Sequence, residues 1–350
     1  MKKLFFIAAI ASVAFAGCTK NDPAPSVTQQ DEITFLAPVV GTQTKVYGAI
    51  GSAYDNGESF DVWCVHNTAD ITEWGGTAYF SDVKATYNGT LGGWALSPKY
   101  YWPATGMLSF VALSPSIATD TDYSDATGFK ITGWSQGADQ DAIVDLMYSD
   151  EVRNKAKSNY KADGEEVTGD ANSYKGVDIK FNHALSYLVF KVKTLGDYSG
   201  STKFRLNAIT LSGVYTTGDF QQMTDASTHN TDPWTEKTDG ATGTYTAYTG
   251  GTLSFSSTPV KVPETANKQI ILLPQALTAA KQKIKVDYQI STDNETSWID
   301  QTQTVDITNT GVSAWEMGKK YTYTLSIGMT EIIFDPVVAD WTPADAAVEF

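Results

Sequence analysis

Cysteine is nearly absent. The 350 residues hold two, Cys18 and Cys64, which rules out a disulfide framework. Three histidines, His66, His183 and His229, lie far apart in sequence and leave little material for a zinc or haem site. Arginine occurs only at Arg153 and Arg205. Basic residues are the minority, 25 Lys+Arg against 40 Asp+Glu, for a net charge of −15. That balance excludes a nucleic-acid binder, because releasing counterions from phosphates needs a basic face. No P-loop, dinucleotide fingerprint or nucleophile elbow is present. Asp120-x-Asp122-x-Ser124-Asp125 begins like a calcium loop, but the sixth place is not glycine and Ile131 stands where the closing Glu belongs. The expectation is a non-enzyme without a cofactor. Helical periodicity is also scarce. Its best window, 138–148, could equally be the entry to a strand.

One long apolar run exists, and it stands at the start. Lys2 and Lys3 precede Leu4 to Phe15, too short to cross a bilayer at roughly 20 residues. Phe15-Ala16-Gly17-Cys18 then closes with small residues before the cysteine, which resembles the bacterial lipobox. Residues 1–17 read as a lipoprotein signal peptide and Cys18 as the acylated first residue of the mature chain. Several acyl chains, at roughly 0.8 kcal/mol per buried methylene, would hold Cys18 on the outer membrane. Removal of Lys2 and Lys3 deepens the charge from −15 to −17. Residues 18–30 form a polar tether with two prolines. Cys64, inside the apolar stretch Phe60 to Val65, reads as a buried, inert thiol.

The rest is rich in residues that favour strands: 9 Trp, 18 Tyr and 15 Phe among many Thr and Gly. Glu32 to Val39 alternates, with Ile33, Phe35, Ala37 and Val39 on one face. Asn88-Gly89 is a strong hairpin signal. Further strands are expected at Met107 to Leu113, Val177 to Phe181, Tyr187 to Val192, Phe204 to Leu211, Gly251 to Phe255, Ile284 to Ile290, Thr302 to Ile307 and Lys320 to Ile327. Short strands between Gly, Asn, Asp and Thr turns argue for antiparallel sandwiches. Leu195 to Thr202 reads as a domain boundary, and Asp150 to Lys175 and residues 224–250 as solvated loops. His183, between two apolar runs, reads as a satisfied core or turn histidine.

Several pieces, in their order, resemble the fimbrillins of Bacteroidales, the lipoprotein-derived subunits of fimbriae. They are EITFLAPVVGTQTK from Glu32 and Trp94 to Pro103, then LSFVALSP at 108–115 and IKFNHALSYLVFKV at 179–192. The second half adds ITLSGVYTTGDF at 209–220, ILLPQALTAAKQKIKVDYQI at 271–290, WEMGKKYTYTLSIG at 315–328 and IIFDPVVADW at 332–341. The resemblance implies an all-β chain of two tandem transthyretin-like antiparallel β-sandwich domains, 31–197 and 198–328, with a C-terminal strand appendage at 329–350. It implies surface fimbriae as the location, other fimbrial subunits as partners, and polymerisation by strand exchange.

In that family a trypsin-like protease cuts at a basic residue after the first strand. Here the residue is Lys45, where better-known members carry Arg, so the mature chain would begin at Val46. The displaced strand would carry Ile33, Phe35, Ala37 and Val39. The donor would come from the tail, with Ile333, Val337, Trp341, Ala346, Val348 and Phe350 as its apolar side chains. A different expectation is a surface lipoprotein that binds a host glycan or protein through Trp74, Trp134, Trp234 and Trp298, displayed in loops.

Overall fold

The computed structural model describes residues 32–341, except 37–38, 41–42, 45–58, 89–92, 117–120, 125–127, 137–143, 157–175, 199, 226–227, 231, 237–241, 264–269 and 280. Cys18, Ala37, Lys45, Val46, Ala346, Val348 and Phe350 lie outside the described residues. The protein is all-β. Among the described residues the one helical element is a 3-10 turn, Ile307–Thr310.

The first half is built on a ten-stranded sheet. From one edge its path runs Thr34–Phe35, Gly93–Ser97, Thr77–Asn88, Ser59–Asn67, Met107–Ser114, Met147–Ser149, Lys180–His183, Val39–Val40 and Gln43–Thr44, with Val152–Lys155 paired beside Met107–Ser114. Ser59–Asn67 shows how sequence makes a central strand. Successive side chains point to opposite faces. Phe60, Val62 and Cys64 therefore enter one core, and Trp63 and Val65 enter another. Burial pushes the Cys64 thiol far above its ordinary range, as expected of an inert cysteine.

The second half sets a five-stranded sheet against a four-stranded one. The first contains Ser186–Thr194, Lys319–Ile327 and Ile332–Asp340; the second contains Thr242–Phe255, Lys203–Tyr215, Lys283–Ser291 and Ile299–Asp306. Leu188, Phe190 and Val192 face Leu206, Ile209 and Leu211 in the core between them. The stretch expected to be a loop across 224–250 instead supplies most of Thr242–Phe255, the longest strand described. Tyr245, Ala247 and Tyr248 are buried, and irregular register against Lys203–Tyr215 keeps them turned inward despite the Gly and Thr between them. Likewise Val152–Lys155 is a strand inside the expected surface loop.

The two halves are stitched together rather than joined by a linker. A four-stranded sheet takes two adjacent strands from each: Trp234–Glu236 and Thr217–Gln221 from the second half, then Gly128–Ser135 and Thr121–Ser124 from the first. A third core lies with it and draws Trp63, Leu113 and Phe129 from one half and Tyr187, Phe220 and Leu273 from the other. Strand pairing passes between the halves just before Ser186, since Ser186–Thr194 already belongs to the second half's sheet. Leu195 to Thr202 connects two strands of that same half.

Candidate assembly site

Residues 32–36 sit in a slot with a neighbour on each side. On one side Thr34 and Phe35 pair antiparallel with Ala95 and Trp94, and Glu32 bridges Tyr101. The Ile33 N–H donates to the Tyr100 carbonyl at 2.8 Å. On the other side the chain runs parallel to the segment at Val177. The Val177 N–H donates to the Thr34 carbonyl at 2.8 Å, and the Leu36 N–H donates to the Val177 carbonyl at 3.0 Å. Gly176 makes the approach possible: a Cβ there would come 2.5 Å from the Leu36 nitrogen and the Phe35 carbonyl carbon.

The side chains are as fully used as the backbone. Ile33 and Phe35 are both 0% exposed. The Phe35 ring meets Phe60 and Phe110 edge-on, each at 5.7 Å between centroids. Two such side chains contribute roughly 1.5–3 kcal/mol each by burial. Glu32 is the exception. Its Oε2 accepts a 2.7 Å hydrogen bond from Lys99 Nζ, while Oε1 is buried without a partner, an unmade bond that costs stability. The carboxylate in turn raises the Lys99 pKa above its ordinary value, mainly through that hydrogen bond.

Of the expected single strand from Glu32 to Val39, the described residues give two, Thr34–Phe35 and Val39–Val40. Val39–Val40 pairs parallel with Lys180–Phe181, at the far end of the same sheet, and antiparallel with Gln43–Thr44. Everything described before Lys45 thus belongs to this sheet. Of the four residues expected to form the displaced face, Ile33 and Phe35 are inward in the slot, and the Val39 backbone is in the ladder.

At the other end Ile332–Asp340 pairs antiparallel along all of Lys319–Ile327 and is the edge of its sheet. Ile332 and Phe334 pack partly against the second-half core. Ile333, Val337 and Val338 are 49%, 58% and 49% exposed. Trp341 is buried in the core shared by the two halves. The tail residues expected to act together are therefore placed apart: Ile333 and Val337 face outward and Trp341 inward.

The loop tryptophans are not displayed. Trp74, Trp134 and Trp234 are all buried in the shared core, and Trp134 and Trp234 lie in strands. Trp298 lies under the Arg205 guanidinium, 4.0 Å from its ring centroid. Three of the four rings are thus core residues, and the fourth has a guanidinium over its ring. His183 is buried as expected, its Nδ1 2.9 Å from Asp145 Oδ1. Sequence reasoning missed Glu32, Lys99 and Gly176. No local signal links residues so far apart, although a glycine opening a strand hints at a close approach.

A sequence-family profile described as fimbrillin-like matches residues 44–341. Two solved structures are similar across almost their whole length. A fimbrial protein from Bacteroides vulgatus ATCC 8482 aligns with a TM-score of 0.60 at 16% identity, covering 89% of this chain and 99% of that one. A Bacteroides uniformis ATCC 8492 protein, provisionally assigned to cell adhesion, aligns with a TM-score of 0.53 at 18% identity, covering 89% and 98%. At such identity the likeness concerns the fold. No curated protein matches. With an all-β architecture, a two-sided slot for its opening segment and a profile match over most of its length, the chain belongs to the fimbrillin-like family.

Proposed function

We propose that this protein is a structural subunit of surface fimbriae, exported as an outer-membrane lipoprotein through Cys18 and polymerised by strand exchange. Its two halves are read as tandem transthyretin-like sandwiches. Cleavage between Lys45 and Val46 by a trypsin-like protease would remove Thr34–Phe35, Val39–Val40 and Gln43–Thr44 in one step. The single observation that carries the reading is the slot: 32–36 is hydrogen-bonded on both sides and fills a core position with Ile33 and Phe35. Emptying it would expose apolar side chains and two unpaired backbone edges, which template the addition of a strand. While the resident segment stays, it blocks that pairing. Filling the slot from another copy is a head-to-tail contact that does not close on itself, so it builds a filament.

Mass spectrometry of the surface-assembled protein tests this. A mature N-terminus at Val46 is expected. Fibres whose subunits all begin at acylated Cys18 would refute the maturation step.

A further inference from the structure

The second half's four-stranded sheet ends, at Ile299–Asp306, in an unblunted edge. A long bare edge is a template for another strand, and proteins blunt it with bulges, proline or lysine. Among the described residues three edge strands run longer than four residues: Thr242–Phe255, Ile332–Asp340 and Ile299–Asp306. Thr242–Phe255 is interrupted by three irregularities of register and by Gly250 at φ +108°. Ile332–Asp340 carries Pro336, which brings no N–H to a ladder. Ile299–Asp306 has none of these devices. It reads Ile-Asp-Gln-Thr-Gln-Thr-Val-Asp, without Pro, Gly, Lys or Arg, and pairs with Lys283–Ile290 through eight consecutive residues without a shift.

We propose that Ile299–Asp306 is a side-to-side contact between two copies of this chain, in which the strand pairs antiparallel with itself across a two-fold axis. The two four-stranded sheets then continue as one. This contact does not rest on strand exchange: it closes on itself, whereas the exchange runs head to tail. Between filaments it joins neighbours laterally.

The strand's own sequence selects both the occupant and the register. Ile299, Gln301, Gln303 and Val305 lie opposite Ile290, Tyr288, Val286 and Ile284, all buried, so they share the inward face. Asp300, Thr302 and Thr304 lie on the other face and are exposed. A continuous sheet has to match inward with inward residues, because a slip of one flips every side chain. With Thr302 on the axis, Ile299 meets Val305, Gln301 meets Gln303 and Asp300 meets Thr304, each twice by symmetry. One step further, Asp306 meets Trp298, over whose ring the Arg205 guanidinium lies. Moving the axis to Gln303 sets Asp300 against Asp306, and like charges directly opposite oppose pairing. Moving it to Gln301 sets Ile299 against Gln303 and Val305 against Ser297, wasting both apolar contacts.

Exposure agrees with this register. Ile299 is apolar yet 55% exposed, and a partner's Val305 would cover it. Asp300 and Asp306 are already bonded by Gln289 and Lys283, so neither brings an unpaired charge to the contact. One strand pair is at the small end of specific contacts, so free subunits should meet weakly. Repeated along two filaments, the same contact gains by avidity.

Thr302→Cys tests the axis in the full-length chain, because only a residue on it meets its own copy. Directly opposite side chains lie about 4.5–5.5 Å apart at Cβ. Thr304 and its copy would stand four residues out of step, on the order of 13 Å. Mild oxidation should therefore give dimers beyond the parent chain's background from Thr302→Cys and not from Thr304→Cys. Ile299→Lys, at an exposed site, should leave melting unchanged and weaken dimerisation about tenfold in sedimentation. It should also separate paired fibres in electron micrographs without shortening them. Adding Val305→Glu to Ile299→Lys should restore pairing, since the two new charges meet only across the axis. A parent chain that sediments as a monomer at every concentration, or equal linking by both cysteine variants, overturns the assignment. Dimers from a matured chain that forms no fibres would uphold this contact and count against strand exchange instead.

Discussion

Trp341 lies flat on His183, with ring centroids 3.6 Å apart and planes 7° from parallel. Asp145 holds the imidazole at its edge through Nδ1, and the Trp341 backbone N–H donates to the Gly318 carbonyl at 2.8 Å. Tyr187 flanks the indole at 5.3 Å. Just before it, Lys319 Nζ pairs with Asp340 at 2.5 Å. The C-terminal strand is thus clasped at its far end to the core that joins the two halves. If the C-terminal strand is the donor in strand exchange, this clasp has to open.

Trp341→Ala should therefore do two opposite things. Truncating a buried tryptophan typically costs about 3–5 kcal/mol, so the monomer should melt at a lower temperature. The same change should speed polymerisation at equal subunit concentration, because the strand is released more easily. Trp341→Phe keeps a ring on His183 and should fall between the two. Calorimetry and light scattering check both arms, and slower assembly by the alanine variant would contradict the role of the clasp.

Phe35→Ala probes the slot in the full-length protein. The ring has no exposed surface and touches Phe60 and Phe110, so its loss should cost about 3–5 kcal/mol. The local effect should be sharper than the global one. The Ile33, Leu36 and Val177 amides all bond across the slot, and their hydrogen exchange should accelerate before that of Val192 or Leu325 in the second half.

Alkali should unfold the protein steeply. Burial raises the pKa of Tyr148 and Tyr323 to about 12 and pushes Tyr123 and Tyr245 higher still. In the unfolded chain these phenols ionise near pH 10. Between about pH 10 and 12 the folded state holds more protons than the unfolded one, so stability falls as pH rises. Each such tyrosine weakens folding by about 1.4 kcal/mol per pH unit in that window. Tyrosinate absorbance should rise together with loss of circular dichroism. Separate transitions, with tyrosinate forming in a chain that is still folded, would contradict this.

How much of this was legible in the sequence divides by distance along the chain. Strands that bury a continuous or alternating run, such as Ile284 to Ile290 or Lys320 to Ile327, announce themselves through period-two patterning. Thr242–Phe255 does not, because Gly and Thr dilute its inward tyrosines and bulges interrupt the alternation. The slot was half legible. Ile33 and Phe35 alternate visibly, but Glu32–Lys99 and Phe35–Val177 join residues 67 and 142 positions apart, which no local rule connects. Trp74, Trp134 and Trp234 misled for a related reason: a large ring in a polar stretch looks exposed until the shared core that takes it is seen.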